Sequence, residues 1–230
     1  MKNVIFDLGG VVFSRDKRLC SNDLLAFWKI IHATPTPKFW LEFDRGTLTW
    51  EEMVLTMTDV MQMPYNHCDE ILHEAIAQTR PVAATSELIG QLKKAGYKLF
   101  VLSNMSFEFI ADFRKYPILK EFDGEVISCY YNLIKPERAI YELISNKFGL
   151  NPAETLFIDD KPVNTAAAAE FGFHTFDFDR ENPEKACNEL RKILIWCFQR
   201  NADNTKSADY QNIAEFCLWP LDFIAHSLNL

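Results

Sequence analysis

The chain has 230 residues, 48% of them hydrophobic, which is long enough for one sizeable α/β domain with an insertion. A formal net charge of −8 and the lack of a lysine- or arginine-rich stripe argue against a nucleic-acid partner. No apolar run reaches the roughly 18 residues of a membrane span, and Asp7 and two glycines interrupt the first one where a signal peptide would need continuity. We therefore expect a cytoplasmic protein with no membrane partner.

The first predicted element is a short apolar strand that stops at Asp7 and turns through Gly9 and Gly10. The carboxyl ends of strands are where open α/β sheets bind their ligands. Taken alone, the pattern favours an aspartate that simply ends a strand in a turn.

Residues 16–80 carry apolar side chains at three- and four-residue spacing, which predicts a small helical insertion. Pro35 and Pro37 end its first helix, and Gly46 ends the second. Residues 49–52 read Thr-Trp-Glu-Glu, a capping box that opens the third helix, and a fourth is predicted over 68–78.

After Pro81 the helical and strand patterns alternate, which predicts a parallel sheet covered by helices on both faces. The predicted helices are 86–95, 107–113, 137–148 and 163–171, and the predicted strands are 98–102, 126–128, 155–158 and 173–176. The predicted fold is therefore α/β, a doubly wound Rossmann-like sheet with a helical cap inserted after the first strand. We expect a core of residues 1–15 and 81–195, a cap of 16–80, and a C-terminal extension of 196–230 that docks on the body or on a second subunit, or is disordered.

Six cysteines are scattered without a C-x-x-C pair or metal-ligand spacing, which is typical of buried free thiols in a reducing compartment. They are Cys20, Cys68, Cys129, Cys187, Cys197 and Cys217. The five histidines also lack ligand spacing, and we assign them no role.

Polar groups follow three later segments that we interpret as strand ends. Ser103 and Asn104 follow the strand 98–102, Lys135 follows the segment 130–134, and Asp159-Asp160 ends the strand 155–158. Each has an ordinary explanation when taken alone: a helix cap, a solvated lysine and an exposed acidic turn. Together with Asp7 they form an ordered set of four motifs, which is far more specific than any one of them.

This ordered set resembles the signatures of the haloacid dehalogenase superfamily, and the resemblance covers residues 3–195. It implies that Asp7 is the nucleophile of a phosphatase and forms an aspartyl phosphate. It also implies that Mg²⁺ is held by Asp7, the backbone carbonyl of Gly9 and Asp160, with Asp159 binding directly or through water.

The resemblance further implies a phosphate-binding set. The Ser103 hydroxyl would donate a hydrogen bond to a phosphate oxygen, and backbone N–H groups near Asn104 and Met105 would do the same. Lys135 would supply a fixed cation, because Pro136 holds it away from helical geometry. One helical turn after Asp160, Asn164 would orient a metal-bound water or Lys135.

Gly9 departs from the pattern of most phosphatases in this superfamily, which carry an aspartate there as general acid and base. The sequence looks closest to a subgroup of sugar phosphatases that act on glucose 1-phosphate and read Asp-Leu-Gly-(Asn or Gly)-Val. Asp44 and Arg45, in a turn of the insertion, are candidates to replace the acid. Their alternative role is that of a polar helix terminus.

The leading hypothesis is Mg²⁺-dependent hydrolysis of a small phosphorylated metabolite, for example a sugar phosphate such as glucose 1-phosphate, by a monomer or homodimer. Dehalogenation of a 2-haloacid would use a similar aspartate, serine and lysine without a metal, but two adjacent acids with no cation would disfavour its anionic substrate. A catalytically silent module that binds metal and phosphate for regulation is the third hypothesis, because fold does not settle function.

Overall fold

The computed structural model describes residues 1–196. Short runs of branched and aromatic residues form its strands. The strands are β1 (Asn3–Phe6), β2 (Phe13–Arg15), β3 (Thr79–Pro81), β4 (Lys98–Ser103), β5 (Gly124–Ile127), β6 (Thr155–Asp159) and β7 (His174–Asp177). The helices are α1 (Asn22–Ile31), α2 (Lys38–Arg45), α3 (Trp50–Met61), α4 (Tyr65–Ala77), α5 (Ala83–Lys94), α6 (Phe107–Phe113), α7 (Arg138–Phe148), α8 (Pro162–Phe171) and α9 (Pro183–Arg191). The predicted extension, with Cys197, Cys217 and His226, lies almost entirely outside the described residues.

The main sheet has the order β5-β4-β1-β6-β7, and its neighbouring strands are parallel. In the register of the central strand, Val4 lies opposite Leu99 on one side and Leu156 on the other. The carboxyl ends of β1, β4 and β6 therefore meet at one edge of the sheet. The predicted doubly wound α/β fold is confirmed.

Alternation along the strands divides the core between the two faces of the sheet. On one face, Val4 and Phe6 belong to a cluster that includes residues of α5 and α9 and continues into the insertion. On the other face, Ile5 packs in a cluster that includes Ile140 of α7 and Ala168 of α8. Burial on both faces explains why these strands are continuous apolar runs in the sequence.

The insertion contains α1 to α4, as the periodicity predicts, and its termini carry the expected caps. Gly46 is left-handed (φ 77°) after α2, and Thr49 and Glu52 form the predicted capping box of α3. β2 and β3 pair antiparallel where the chain enters and leaves the insertion, an element that the sequence did not reveal. Three residues per strand are too few to display a two-residue period.

The segment 130–134 is not a strand, so the prediction that Lys135 lies at a strand end is wrong. A 3₁₀ turn at Ser128–Tyr130 follows β5, and Asn132 adopts a left-handed backbone (φ 54°) that interrupts extended structure. Lys135 therefore lies in the loop between β5 and α7.

Two predictions from composition can be compared with the described residues. The thiols of Cys20, Cys68, Cys129 and Cys187 are free, and all but the half-buried Cys20 are buried. Over residues 1–196, we find no helix with the length and hydropathy needed to cross a bilayer.

Candidate active site

Asp7 lies directly beyond β1, where its backbone N–H donates to the carbonyl of Ile158 at 2.9 Å. Its Oδ1 accepts the Leu8 N–H at 2.7 Å and pairs with Lys135 Nζ at 2.9 Å. Among the described residues, no donor contacts Oδ2. Burial raises the pKa of Asp7 to about 7, opposed by the charge of Lys135.

Lys135 is buried between two carboxylates. Its Nζ lies 2.9 Å from Asp7 Oδ1 and 2.6 Å from Asp159 Oδ2, and it donates to the Leu102 carbonyl at 2.9 Å. Burial opposes its charge, but the two carboxylates outweigh burial and hold the pKa of Lys135 above its ordinary value. The lysine is therefore a permanently charged link between the two acidic motifs.

Asn104 holds the loop that carries Lys135. Its side-chain Oδ1 accepts the Lys135 N–H at 2.7 Å, and its Nδ2 donates to the Lys135 carbonyl at 2.9 Å. The Met105 N–H is not directed at the site as expected, because it donates to Ser128 Oγ at 2.8 Å. The side chain of Asn104 thus positions the lysine loop.

Asp159 and Asp160 have different surroundings although they are adjacent. Asp159 is fully buried and its oxygens accept from Lys135 Nζ, the Lys161 N–H at 2.8 Å and Asn164 Nδ2 at 3.0 and 3.1 Å. Asp160 Oδ2 pairs with Arg180 at 3.0 Å, whereas its buried Oδ1 has no hydrogen-bond partner within residues 1–196. Burial, followed by the charge of Asp159, raises the pKa of Asp160.

The carboxylates fit a hard divalent cation. One oxygen each from Asp7, Asp159 and Asp160 lies within 4.8 Å of the others. The unpartnered Oδ1 of Asp160 is the kind of oxygen that Mg²⁺ binds. Because the oxygens of Asp159 are already occupied by donors, Asp7 and Asp160 are the better direct ligands and Asp159 suits contact through water.

Gly10 keeps Asp160 close to the turn after β1. It has a left-handed backbone (φ +83°), and a Cβ at this position would lie 2.5 Å from Asp160 Oδ2. Gly9 lines the same cavity, and a Cβ added there would meet nothing within 4 Å. The position that lacks the expected acid therefore has room for one.

Ser103 ends β4, next to the central strand. Its side chain is buried, and Oγ has no hydrogen-bond partner among the residues that the structure describes. The described residues therefore leave this hydroxyl unused, but Ser103 itself is not among the residues that line the cavity in front of Asp7.

The side chains of Asp44 and Arg45, at the end of α2, lie in different surroundings. Asp44 is buried, lines one cavity with Asp7 and Lys135, and has its pKa raised by burial to about 7. Arg45 forms an ion pair with Glu137 and donates to the Asn132 carbonyl at 2.8 Å. The structure thus brings Asp44 into the site and directs Arg45 to the surface of the core.

The cavity in front of Asp7 has a volume of about 680 Å³, and its lining includes the acidic groups and several lysines. The lining also includes Arg15 and a group of rings that contact one another, namely Trp28 and Trp40 of the insertion and Phe109 of α6. Arg15 was not predicted as a site residue, because β2 has only three residues and leaves no periodic pattern in the sequence.

A parallel sheet whose central strand ends at an aspartate, with lysine and an acidic pair from neighbouring loops, defines a class of α/β hydrolases with a carboxylate-rich site. Residues 1–172 match the sequence profile of the haloacid dehalogenase-like hydrolases, and the chain belongs to this family.

Similar proteins span several activities. The sesquiterpene phosphatase astK of Aspergillus oryzae is 24% identical over 84% of this chain and 96% of its own length. The mouse acyl-CoA dehydrogenase family member 10 is 27% identical over 88% of this chain, which spans only 20% of that protein. An (S)-2-haloacid dehalogenase of Burkholderia cepacia is 30% identical over 43% of each chain.

Solved structures share the fold. A family enzyme from Bacteroides thetaiotaomicron, in complex with magnesium and inorganic phosphate, superposes with a TM-score of 0.63 at 22% identity and covers 78% of this chain and 95% of its own. A HAD-like hydrolase from Porphyromonas gingivalis is 28% identical, with a TM-score of 0.59 over 76% of this chain and 90% of its own.

Proposed function

We propose that the protein is a Mg²⁺-dependent phosphatase that hydrolyses a small phosphorylated metabolite, such as a sugar phosphate, through an aspartyl phosphate on Asp7. The buried Oδ1 of Asp160 beside Asp7 carries this proposal, because it has no hydrogen-bond partner among residues 1–196 and a bound metal ion would satisfy it. The same observation disfavours metal-free dehalogenation. Within the proposal, residues 16–80 act as a cap over the site.

Asp7 attacks first. A carboxylate oxygen of Asp7 forms a bond to phosphorus while the bond to the leaving oxygen breaks. Lys135 and the Ser103 hydroxyl donate to the phosphoryl oxygens, where charge accumulates. When bound by Asp7 and Asp160, Mg²⁺ would neutralise part of that charge.

Asp44 replaces the general acid that Gly9 lacks. With a pKa of about 7, about half of Asp44 is protonated in neutral solution and can give its proton to the leaving oxygen. The resulting carboxylate then takes a proton from the water that attacks the aspartyl phosphate, which releases inorganic phosphate and restores Asp7.

The test of this function is hydrolysis of 4-nitrophenyl phosphate by the full chain, with Mg²⁺ and with EDTA. We expect turnover only with the metal, and loss of turnover in Asp7→Asn with the fold retained by circular dichroism. Turnover that persists in EDTA, or in Asp7→Asn, would contradict the proposal. A folded wild type that turns over neither this ester nor a panel of phosphorylated metabolites would favour a silent binding module.

A further inference from the structure

Arg15 ends β2 and lines the cavity that contains Asp7. Its Nε donates to the carbonyl of Ala75 at 2.9 Å, which fixes the side chain against the end of α4. Its guanidinium carbon lies 3.9 Å from the centre of the Trp28 ring and 5.9 Å from that of Phe109. The group is thus held rigidly within an aromatic wall.

The guanidinium has no carboxylate partner within the described part of the chain, since no ion pair to Arg15 occurs among residues 1–196. Of the other cations that line the cavity, Lys135 pairs with Asp7 and Asp159, and Arg180 pairs with Asp160. Lys29 and Lys161 also have no ion pair among residues 1–196, but Arg15 is the one whose side chain is fixed by a backbone carbonyl and an aromatic ring. Burial lowers the pKa of Arg15 to about 10, which leaves it charged at neutral pH. A cation–π contact compensates only part of the lost hydration.

From this unpaired cation we infer that Arg15 binds a second anionic group, a carboxylate or a phosphate, on the organic part of the substrate. The remaining guanidinium N–H groups suit bidentate recognition of such an anion. The rings of Trp28, Trp40 and Phe109 would enclose the carbon skeleton between the two anions. The inference rests on the proposed function, and it narrows the substrate class to phosphate monoesters that carry another negative charge.

Recognition at two points has a physical advantage. The phosphate at Asp7 resembles that of any other phosphate ester, whereas a fixed arginine distinguishes a charged skeleton from a neutral one. A substrate without the second anion leaves the guanidinium unpaired in a partly dehydrated site, and this is the strongest form of discrimination by a polar group.

The test compares matched phosphate esters of increasing chain length: n-alkyl phosphates, ω-carboxyalkyl phosphates and alkane bisphosphates. We expect the wild type to favour the charged series at one chain length, mainly through KM. In Arg15→Met the ratio of kcat/KM for charged over neutral esters should fall about 10- to 100-fold, with partial retention in Arg15→Lys. A preference for bisphosphates over carboxylates identifies the second anion as phosphate.

Arg138→Met is the matched control, because Arg138 also lies over an aromatic ring, that of Phe171, but pairs with Glu142 on the surface. In Arg138→Met the ratio of kcat/KM for charged over neutral esters should equal that of the wild type. A wild-type preference for neutral alkyl esters, or an unchanged ratio in Arg15→Met, would overturn the inference. In the latter case, the charge selection would belong to Lys161 or Lys29, which also line the cavity.

Calorimetric binding of ω-hydroxyalkanoates, against alkanols of the same length, separates this inference from the proposed function. Arg15-dependent binding of the hydroxyacid without turnover of any phosphate ester would contradict the phosphatase and leave the anion site standing. Turnover of phosphate esters without Arg15-dependent selection would support the phosphatase and contradict the anion site at Arg15.

Discussion

At the level of single residues, two buried carboxylates divide the chemistry of the site. Asp7 is tied to Lys135, whose charge favours the ionised form needed for attack. Asp44 has no ion pair among the described residues. Burial raises the pKa of both carboxyl groups to about 7, so the two acids differ in their neighbours and not in their pKa. Asp7 lies beside Lys135 and Asp160, where bound Mg²⁺ would favour its ionised form, whereas Asp44 has no such neighbour and suits the role of proton donor in the proposed reaction.

Asp44→Asn tests this division. We expect kcat/KM for an alkyl phosphate to fall about 100-fold, with a much smaller loss for 4-nitrophenyl phosphate, whose leaving group needs little protonation. In the wild type, activity on the alkyl ester should decline as the pH rises through about 7, since Asp44 then loses its proton, and this decline should vanish in the variant. Steady-state kinetics across pH measure both effects.

The substitution Gly9→Asp tests whether an acid at position 9 can compensate for the loss of Asp44. Because a Cβ at Gly9 meets nothing within 4 Å, an added carboxyl group has space beside the cavity. We expect Gly9→Asp to restore much of the activity of Asp44→Asn on alkyl phosphates. Equal activity of Asp44→Asn and the double variant would mean that a carboxyl group at position 9 cannot supply the proton.

Gly10→Ala should weaken metal binding. The new Cβ would overlap Asp160 Oδ2, so we expect the Mg²⁺ concentration for half-maximal activity to rise about 10- to 100-fold. Gly96→Ala is the control, because Gly96 has a similar backbone (φ +86°) with nothing within 4 Å of its added Cβ. It should cost about 1 to 2 kcal/mol of stability and leave the metal requirement unchanged.

At the level of elements, hydrogen bonds and close packing join the end of α2 to the loop after β5. Asn132 Nδ2 donates to the Arg45 carbonyl at 3.1 Å, the Ser128 hydroxyl donates to the Asp44 carbonyl, and Gly46 packs on the backbone of Cys129. The contact explains how Asp44, a residue of the insertion, comes to line the same cavity as Asp7 of the core.

Arg45→Met should loosen this contact. We expect a loss of about 1 to 3 kcal/mol of stability and a higher KM, because the partly buried Glu137 loses its charged partner and Asp44 its support. Lys38→Met, which removes an exposed pair with Glu42 on the same helix, should change stability by less than about 0.5 kcal/mol. Urea unfolding and steady-state kinetics compare the two variants, and similar effects in both would contradict the role of the contact.

For the molecule as a whole, the cluster of buried acids makes stability depend on pH. Asp7 and Asp44 have folded pKa values near 7, above the ordinary value of 3.8, so the folded state holds their protons more strongly. Their contribution is therefore fully present below about pH 4 and is lost as the pH rises to about 7.

In EDTA we therefore expect the free energy of unfolding of the wild type to fall between pH 5 and pH 8. Asp44→Asn should remove part of this decline and stabilise the protein at pH 8 by at most about 4 kcal/mol. Mg²⁺ should recover stability at pH 8 in the wild type, since it binds the ionised carboxylates. Urea denaturation at the two pH values measures each effect, and a flat profile in EDTA would contradict the assigned pKa directions.

The amino-acid sequence by itself determined the order of helices and strands, because amphipathic periods, caps and glycine stops are local signals. It also determined that Asp7, Ser103, Asp159 and Asp160 follow strands of one parallel sheet. Adjacent parallel strands end at the same edge, so the convergence of these four residues could be expected from the strand pattern alone.

Only the tertiary structure decided which of these groups contact one another. The oxygens of Asp159 accept hydrogen bonds from Lys135 and Asn164, whereas Asp160 Oδ1 has no hydrogen-bond partner among the described residues. This difference depends on distances of a few tenths of an ångström between residues of separate loops. The opposite directions of Asp44 and Arg45 arise because the insertion packs on the core, and neighbours in sequence on a helix face different surroundings. Arg15 belongs to a strand too short to leave a period in the sequence, and only the folded structure shows that it has no ion pair among residues 1–196.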